Sequence, residues 1–88
     1  MTGKEFVEEF KARGVDFEYS IQHMSYVAGY EGHILFCYDC WLSTKVMITN
    51  LEKTISVPPL RINDVTDFED ILDYIGKAKL AIAEGVKA

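Results

Sequence analysis

The ten residues from His33 to Leu42, HILFCYDCWL, constrain the fold more than any other part of this chain. Successive side chains of a strand point to opposite faces of the sheet, and here both alternating sets are apolar. Only His33 and Asp39 interrupt the pattern. A strand of this kind is typical of the centre of a sheet that is covered on both sides.

A helix is predicted at the start of the chain. Thr2 and Glu5 have the spacing of a capping box, in which each side chain bonds the backbone of the other residue. Gly14 suits the left-handed residue that ends a helix, after which Val15 can fold back onto Phe10. The apolar face of this helix consists of Phe6, Val7 and Phe10.

A second helix is predicted near the end of the chain. It begins near Thr66, with Glu69 three residues later as a second capping box, and Gly85 ends it. One apolar stripe at helical spacing runs along it: Phe68, Ile71, Leu72, Ile75, Ala78 and Ile82.

Between the helices, apolar residues recur with a period of two, which is typical of strands. The alternation that begins at Phe17 slips near His23 and Met24, which predicts a bulge or a tight turn over residues 22–25. Gly29 to Gly32 predicts the next turn. After the central strand, residues 46–49 predict another strand and residues 54–57 a short last one, which Pro58 and Pro59 end.

These elements predict a single α+β domain over residues 1–88. It has an N-terminal helix, an antiparallel β-meander of about four strands and a C-terminal helix packed on the sheet. If one helix covers each face, a monomer is sufficient. If both helices lie on one face, Leu35, Cys37 and Trp41 are expected to be exposed, and a homodimer should bury them.

The charge balance excludes some functions. The 88 residues include 14 acidic and nine basic side chains, a formal net charge of -5. Nucleic-acid binding needs clustered Lys and Arg, whereas these are scattered, so no direct nucleic-acid contact is expected. No apolar run approaches the roughly 20 residues of a spanning helix, and the N-terminus has no apolar signal core. No membrane contact and a cytoplasmic location are therefore expected.

Cys37 and Cys40 form a CxxC motif, which could be a thiol site or, with His23 and His33, a metal site. In a strand the two Cα atoms would lie roughly 10 Å apart with the side chains on opposite faces. The motif therefore needs a turn at Tyr38, against a strongly strand-like context. The favoured interpretation is two small buried hydrophobic residues, with no metal and no cofactor.

An acidic run without a basic residue extends from Asp64 to Asp73. Acidic side chains stabilise a helix N-terminus, and this accounts for most of the run. Asp73 is explained less well, since it lies two turns into the helix. The alternative is a patch that binds a basic partner through Asp67, Asp70 and Asp73.

Tyrosine and tryptophan are enriched at binding surfaces because they have both an apolar body and a polar group. Tyr26 and Tyr30 flank a glycine-containing turn and are expected to be exposed, and Trp41 is the best single interface candidate. The alternative is that tyrosine simply favours strands.

No serine has the glycine context of a nucleophile elbow, and no phosphate-binding glycine loop is present, so no catalytic residue and no enzyme activity is predicted. The leading hypothesis is a small acidic interaction protein, of inhibitor or adaptor type. It binds a protein partner, for instance a basic nucleic-acid-binding protein, through its acidic helix and an aromatic sheet surface, and forms a homodimer. The alternatives are a small-ligand-binding oligomer, or the site of His23, His33, Cys37 and Cys40.

Overall fold

The computed structural model consists of one antiparallel sheet with two helices packed on one of its faces. It describes residues 1–40 and 43–85 and, of Cys40, the backbone alone. The strands lie side by side in chain order, β1 to β5. The predicted α+β fold is confirmed, with five strands instead of about four. The elements are α1 (Gly3–Lys11), β1 (Glu18–Ser20), β2 (Ser25–Tyr30), β3 (His33–Cys40), β4 (Ser43–Asn50), β5 (Leu60–Ile62) and α2 (Phe68–Ala83).

Both ends of α1 follow the predicted pattern. The Thr2 hydroxyl accepts from the Glu5 backbone at 3.1 Å, and the Glu5 carboxylate accepts from the Thr2 backbone at 2.9 Å. This bond from Thr2 lowers the pKa of Glu5. At the other end, Gly14 has a φ of 83°, and the Val15 N–H donates to the Phe10 carbonyl at 2.9 Å.

The start of α2 lies one residue later than predicted. Asp67, not Thr66, is the capping residue, and it forms the capping box with Asp70. Thr66 is engaged elsewhere: its hydroxyl accepts from the Asn63 N–H at 3.0 Å and closes the preceding turn. Within the described ranges, neither helix has the length and apolar content needed to cross a bilayer.

The last strand is β5, and the prediction of a strand at residues 54–57 is wrong. The N–H groups of Thr54 and Ile55 both donate to the Asn50 side chain at 3.0 Å, so they are used in a loop. Thr49 adds a bond to the Ile55 carbonyl, and Tyr74 of α2 donates to the Pro58 carbonyl at 2.9 Å. Burial raises the pKa of this Tyr74 hydroxyl to about 12. The proline pair therefore precedes the last strand.

Both helices pack on the same face of the sheet. Leu35 and Cys37 of β3 belong to the one core cluster that also contains the buried residues of α1 and α2. The expectation that Leu35 and Cys37 would be exposed in this arrangement is therefore wrong, because the helices cover their side of β3. The face away from the helices carries the other set, which includes Ile34, Phe36 and Tyr38. Trp41 lies outside the described residues.

Phe10 joins the elements of the core through its ring. It is fully buried, and the rings of four other residues pack edge-on against it at centroid distances of 5.0–5.9 Å: Phe6, Phe17, Tyr30 and Phe68. These residues come from α1, the segment before β1, the end of β2 and the start of α2. One side chain of α1 therefore contacts α2 and the sheet at the same point.

Candidate functional site

Exposed apolar side chains are concentrated on the hairpin formed by β1 and β2. Tyr19 is 56% exposed, Ile21 84%, Met24 74% and Tyr26 44%. We call these four residues the hairpin surface. A contiguous exposed apolar patch is the usual mark of a binding surface in a folded protein.

The register of the strands assembles this surface. Tyr19 and Tyr26 are direct cross-strand partners, and their rings meet edge-to-face with centroids 5.2 Å apart. The tight turn predicted around residues 22–25 is confirmed, since residues 21–24 connect the strands. Met24 has a φ of 51° there, a left-handed conformation that is unusual for methionine. The turn thus presents two apolar side chains, Ile21 and Met24, to solvent.

A groove of about 850 Å³ lies between the hairpin surface and α1. Its α1 wall carries Lys4, Val7, Glu8 and Lys11, and the buried Cys37 is also among its lining residues. The two lysines are seven residues apart, about 10 Å along a helix, with the glutamate between them. The groove therefore combines an apolar side with a wall of mixed charge.

The aromatic residues singled out from the sequence have different environments. Tyr26 belongs to the hairpin surface and faces the groove. Tyr30 is half-buried, and its ring packs against Phe10 at 5.4 Å, so it contributes to the core cluster. The candidate Trp41 falls outside the described residues.

Cys37 is a buried core residue in this structure. Its side chain is 2% exposed, and no turn interrupts β3 between the two cysteine positions. Burial raises the pKa of the Cys37 thiol to about 12, and the charge of Asp39 adds to the rise. A thiol in this environment is almost entirely protonated at neutral pH, and the thiolate is the nucleophile and the metal ligand.

The two histidines lie away from Cys37. His23 is on the other side of the sheet, where its ring stands 5.6 Å from that of Phe36. His33 is at the start of β3, with Nδ1 2.8 Å from the Glu31 carbonyl oxygen. No group of three or more potential ligands occurs among the side chains that the structure describes. The four-residue Cys/His site therefore gains no support from the geometry.

The acidic residues named as a docking patch have structural partners. Asp67 and Asp70 form the capping box, with bonds of 3.0 and 3.2 Å to the backbone N–H groups. Asp73 pairs with Lys77 one turn further along α2, with an N–O distance of 3.0 Å. Contact of these three carboxylates with a basic partner stays a prediction.

Helix capping by Asp67 can be tested separately from its charge. We expect Asp67→Ala to lower the free energy of unfolding by about 1 kcal/mol, because the Asp70 N–H loses its acceptor. Asp67→Asn retains a capping oxygen and should lower the free energy of unfolding by only about a few tenths of a kcal/mol. Urea denaturation of both variants measures the difference. Equal losses would show that the charge of Asp67, rather than the cap, stabilises the protein.

Comparison with known proteins adds no assignment. The chain matches no family model, no curated protein and no solved structure.

Sequence reasoning identified Tyr26 but did not select Tyr19, Ile21 and Met24. The signal was present as the slip of alternation near Met24, which leaves apolar residues in a turn instead of a strand. Turns are normally polar, so the apolar side chains of Ile21 and Met24 depart from the usual pattern. This departure indicates a functional role.

Proposed function

We propose that this chain is a non-catalytic interaction domain whose hairpin surface binds a second copy of the chain. The observation that carries the proposal is the concentration of exposed apolar side chains on one hairpin, beside the groove along α1. Covering such a patch removes apolar area from water, worth about 25 cal/mol per Å². A second copy supplies an identical patch.

The sheet edge next to this patch is open to pairing. β1 is an outer strand, so one side of it faces no other strand of the described chain. β5 is the other outer strand, but two prolines precede it and the exposed Arg61 lies in its middle. Prolines and charges are the usual protection of a sheet edge. β1 has one charged residue, Glu18, and apolar neighbours, which favours it as the docking edge.

Self-pairing of β1 is compatible with its charges. An antiparallel pair centred on Tyr19 places Glu18 of each copy opposite Ser20 of the other, so no like charges face each other. Such a contact is isologous, and it closes as a dimer without further growth. The mixed charges of Lys4, Glu8 and Lys11 would lie next to the same axis. We therefore propose a two-fold dimer with β1 at its centre.

The dimer can be tested with substitutions that suit the local backbone. Met24→Asn replaces an exposed methionine at positive φ by a residue that tolerates this conformation, and Tyr19→Thr keeps a strand-favouring residue. We expect the wild-type protein to dimerise over about 5–500 µM by sedimentation velocity, and the double variant to stay monomeric. Val65→Thr, at a position that is 87% exposed elsewhere, should not change the association.

Cross-linking tests the register. With Cys40 replaced by serine, a mixture of Glu18→Cys and Ser20→Cys should form a mixed disulfide on mild oxidation, because these two positions face each other in the proposed pair. Ser20→Cys alone should cross-link more slowly, since its partner there is Glu18. A wild-type protein that is monomeric over the whole concentration range would refute the proposal. Cross-linking that is equally fast in the mixture and in Ser20→Cys alone would refute the β1 pairing.

A further inference from the structure

The face of the sheet away from the helices carries a second, separate feature. Cross-strand partners place Val27, Phe36 and Met47 in one row across its centre. Phe36 is nevertheless only 5% exposed. On this face the ring of His23, from the turn at residues 21–24, stands 5.6 Å from that of Phe36, and residues 53, 55 and 56 of the loop after β4 line a pocket with both.

These two connections meet over Phe36. The Lys53 ammonium lies 3.2 Å from His23 Nε2, across 30 residues of chain. An ammonium can only donate, so Nε2 accepts in this contact, and His23 Nδ1 lies 2.8 Å from the Ser20 hydroxyl oxygen. Lys53 brings a full positive charge to this contact.

A pocket of about 380 Å³ opens beneath this contact. Phe36, Met47 and Ile55 provide apolar surface, while His23, Lys53 and Ser56 provide polar groups. Its volume is within the range of small-molecule sites, about 300–1,000 Å³, and such sites combine a mostly apolar lining with a few convergent polar groups. The size suits a small molecule and is too small for a partner helix.

The charge of this face differs from that of the whole protein. Lys45 and Arg61 are direct cross-strand partners on the same side as Met47, and Lys53 adds a third positive charge. Glu18, in the row of Phe36, is the acidic residue that the strands place on this side. The protein carries a net charge of -5, so a positive face on it favours an anion by charge complementarity.

We propose that this pocket binds a small monoanion, a carboxylate attached to a flat apolar body. The apolar body lies against Phe36 and Met47, and the carboxylate accepts a hydrogen bond from the Lys53 ammonium, which has donors beyond the one given to His23. The pocket lining contains one ammonium, that of Lys53, which matches a single negative charge. None of the pocket residues belongs to the hairpin surface, but His23 lies in the same turn as Ile21 and Met24.

Naphthoate and naphthamide test this site, because they have the same shape and differ in charge. We expect naphthoate to shift the backbone amide signals of Phe36, Met47 and Ile55 in two-dimensional NMR, and to bind at least about tenfold more tightly than naphthamide. Lys53→Gln should weaken naphthoate by about tenfold and leave naphthamide unchanged. Lys45→Gln is the matched control, a cation on the same face outside the pocket lining, and should change naphthoate affinity less than about twofold.

Three results would overturn the proposal. The first is equal affinity for the two compounds, or no binding of either. The second is a loss in Lys45→Gln as large as in Lys53→Gln, which would indicate general attraction to the face. The third is a shift of the same amide signals with protein concentration alone, which would show that a second copy covers this face. A failure of the hairpin dimer would leave all these measurements interpretable, since they use residues outside the hairpin surface.

Discussion

Replacing Phe10 by alanine is expected to lower the free energy of unfolding by about 3–5 kcal/mol. The ring of Phe10 is fully buried at the point where α1, α2 and the sheet meet. Alanine would leave a cavity between elements that are held by other contacts and cannot close it. Since a domain of this length has a total stability of about 5–10 kcal/mol, the loss is a large part of the whole. The midpoint of urea unfolding measures it.

Leu80→Ala is the control for this substitution. Leu80 also lies on a helix, but it is 63% exposed, and its truncation should change the free energy of unfolding by less than about 0.5 kcal/mol. If Phe10→Ala cost no more than Leu80→Ala, the aromatic cluster would not be the centre of the core. Both substitutions replace a large apolar residue by alanine, so the difference between them reports mainly the burial of the original side chain.

The second large effect concerns the reactivity of Cys37. In a Cys40→Ser background, we expect native Cys37 to react with a thiol reagent at pH 8 at least about a hundredfold more slowly than in denaturant. Its side chain is 2% exposed, so the reagent reaches the thiol only when the structure opens, and burial also raises its pKa from 9.0 to about 12. Absorbance of the released thiolate of Ellman's reagent gives both rates.

The same experiment separates a core cysteine from a metal ligand. A chelator should not change the slow rate if Cys37 is protected by packing alone. Fast labelling of the native protein, or labelling that accelerates only after chelation, would contradict the buried environment and support the Cys/His site.

The raised pKa of Cys37 also has a consequence for stability. The contribution of the protonated thiol to the free energy of unfolding is complete below pH 9 and is lost as the pH rises toward 12.

Elements with local causes could be predicted from the sequence. The capping box of Thr2 and Glu5 and the left-handed Gly14 need only neighbouring residues, and both ends of α1 follow them. The central position of β3 was predictable for the same reason, from a pattern that is apolar on both faces. By contrast, residues 54–57 resemble a strand, but the side chain of Asn50 takes two of their N–H groups. Propensity alone does not reveal that competition.

Which face of the sheet the two helices cover was not predictable from the sequence. Both sets of alternating residues in β3 are apolar, so the pattern contains no information about which set the helices cover. The same limit applies to the tyrosines. Tyr26 and Tyr30 lie on the same side of β2, but the Phe10 ring packs against Tyr30 alone. Exposure of Tyr26 therefore follows from the groove between it and α1, which is a property of the packed structure.

The strand order has a consequence for how the chain reaches this structure. Every strand pairs with its neighbour along the chain, so each pairing closes a short loop at a small cost in chain entropy. The sheet can then form one hairpin at a time, starting from β3 and β4, which share the longest ladder. The contacts of Phe10 with Phe68 join segments far apart in the chain and come late on such a route. Assembly speed should therefore depend on the hairpins, whereas the lifetime of the folded state should depend on the aromatic cluster.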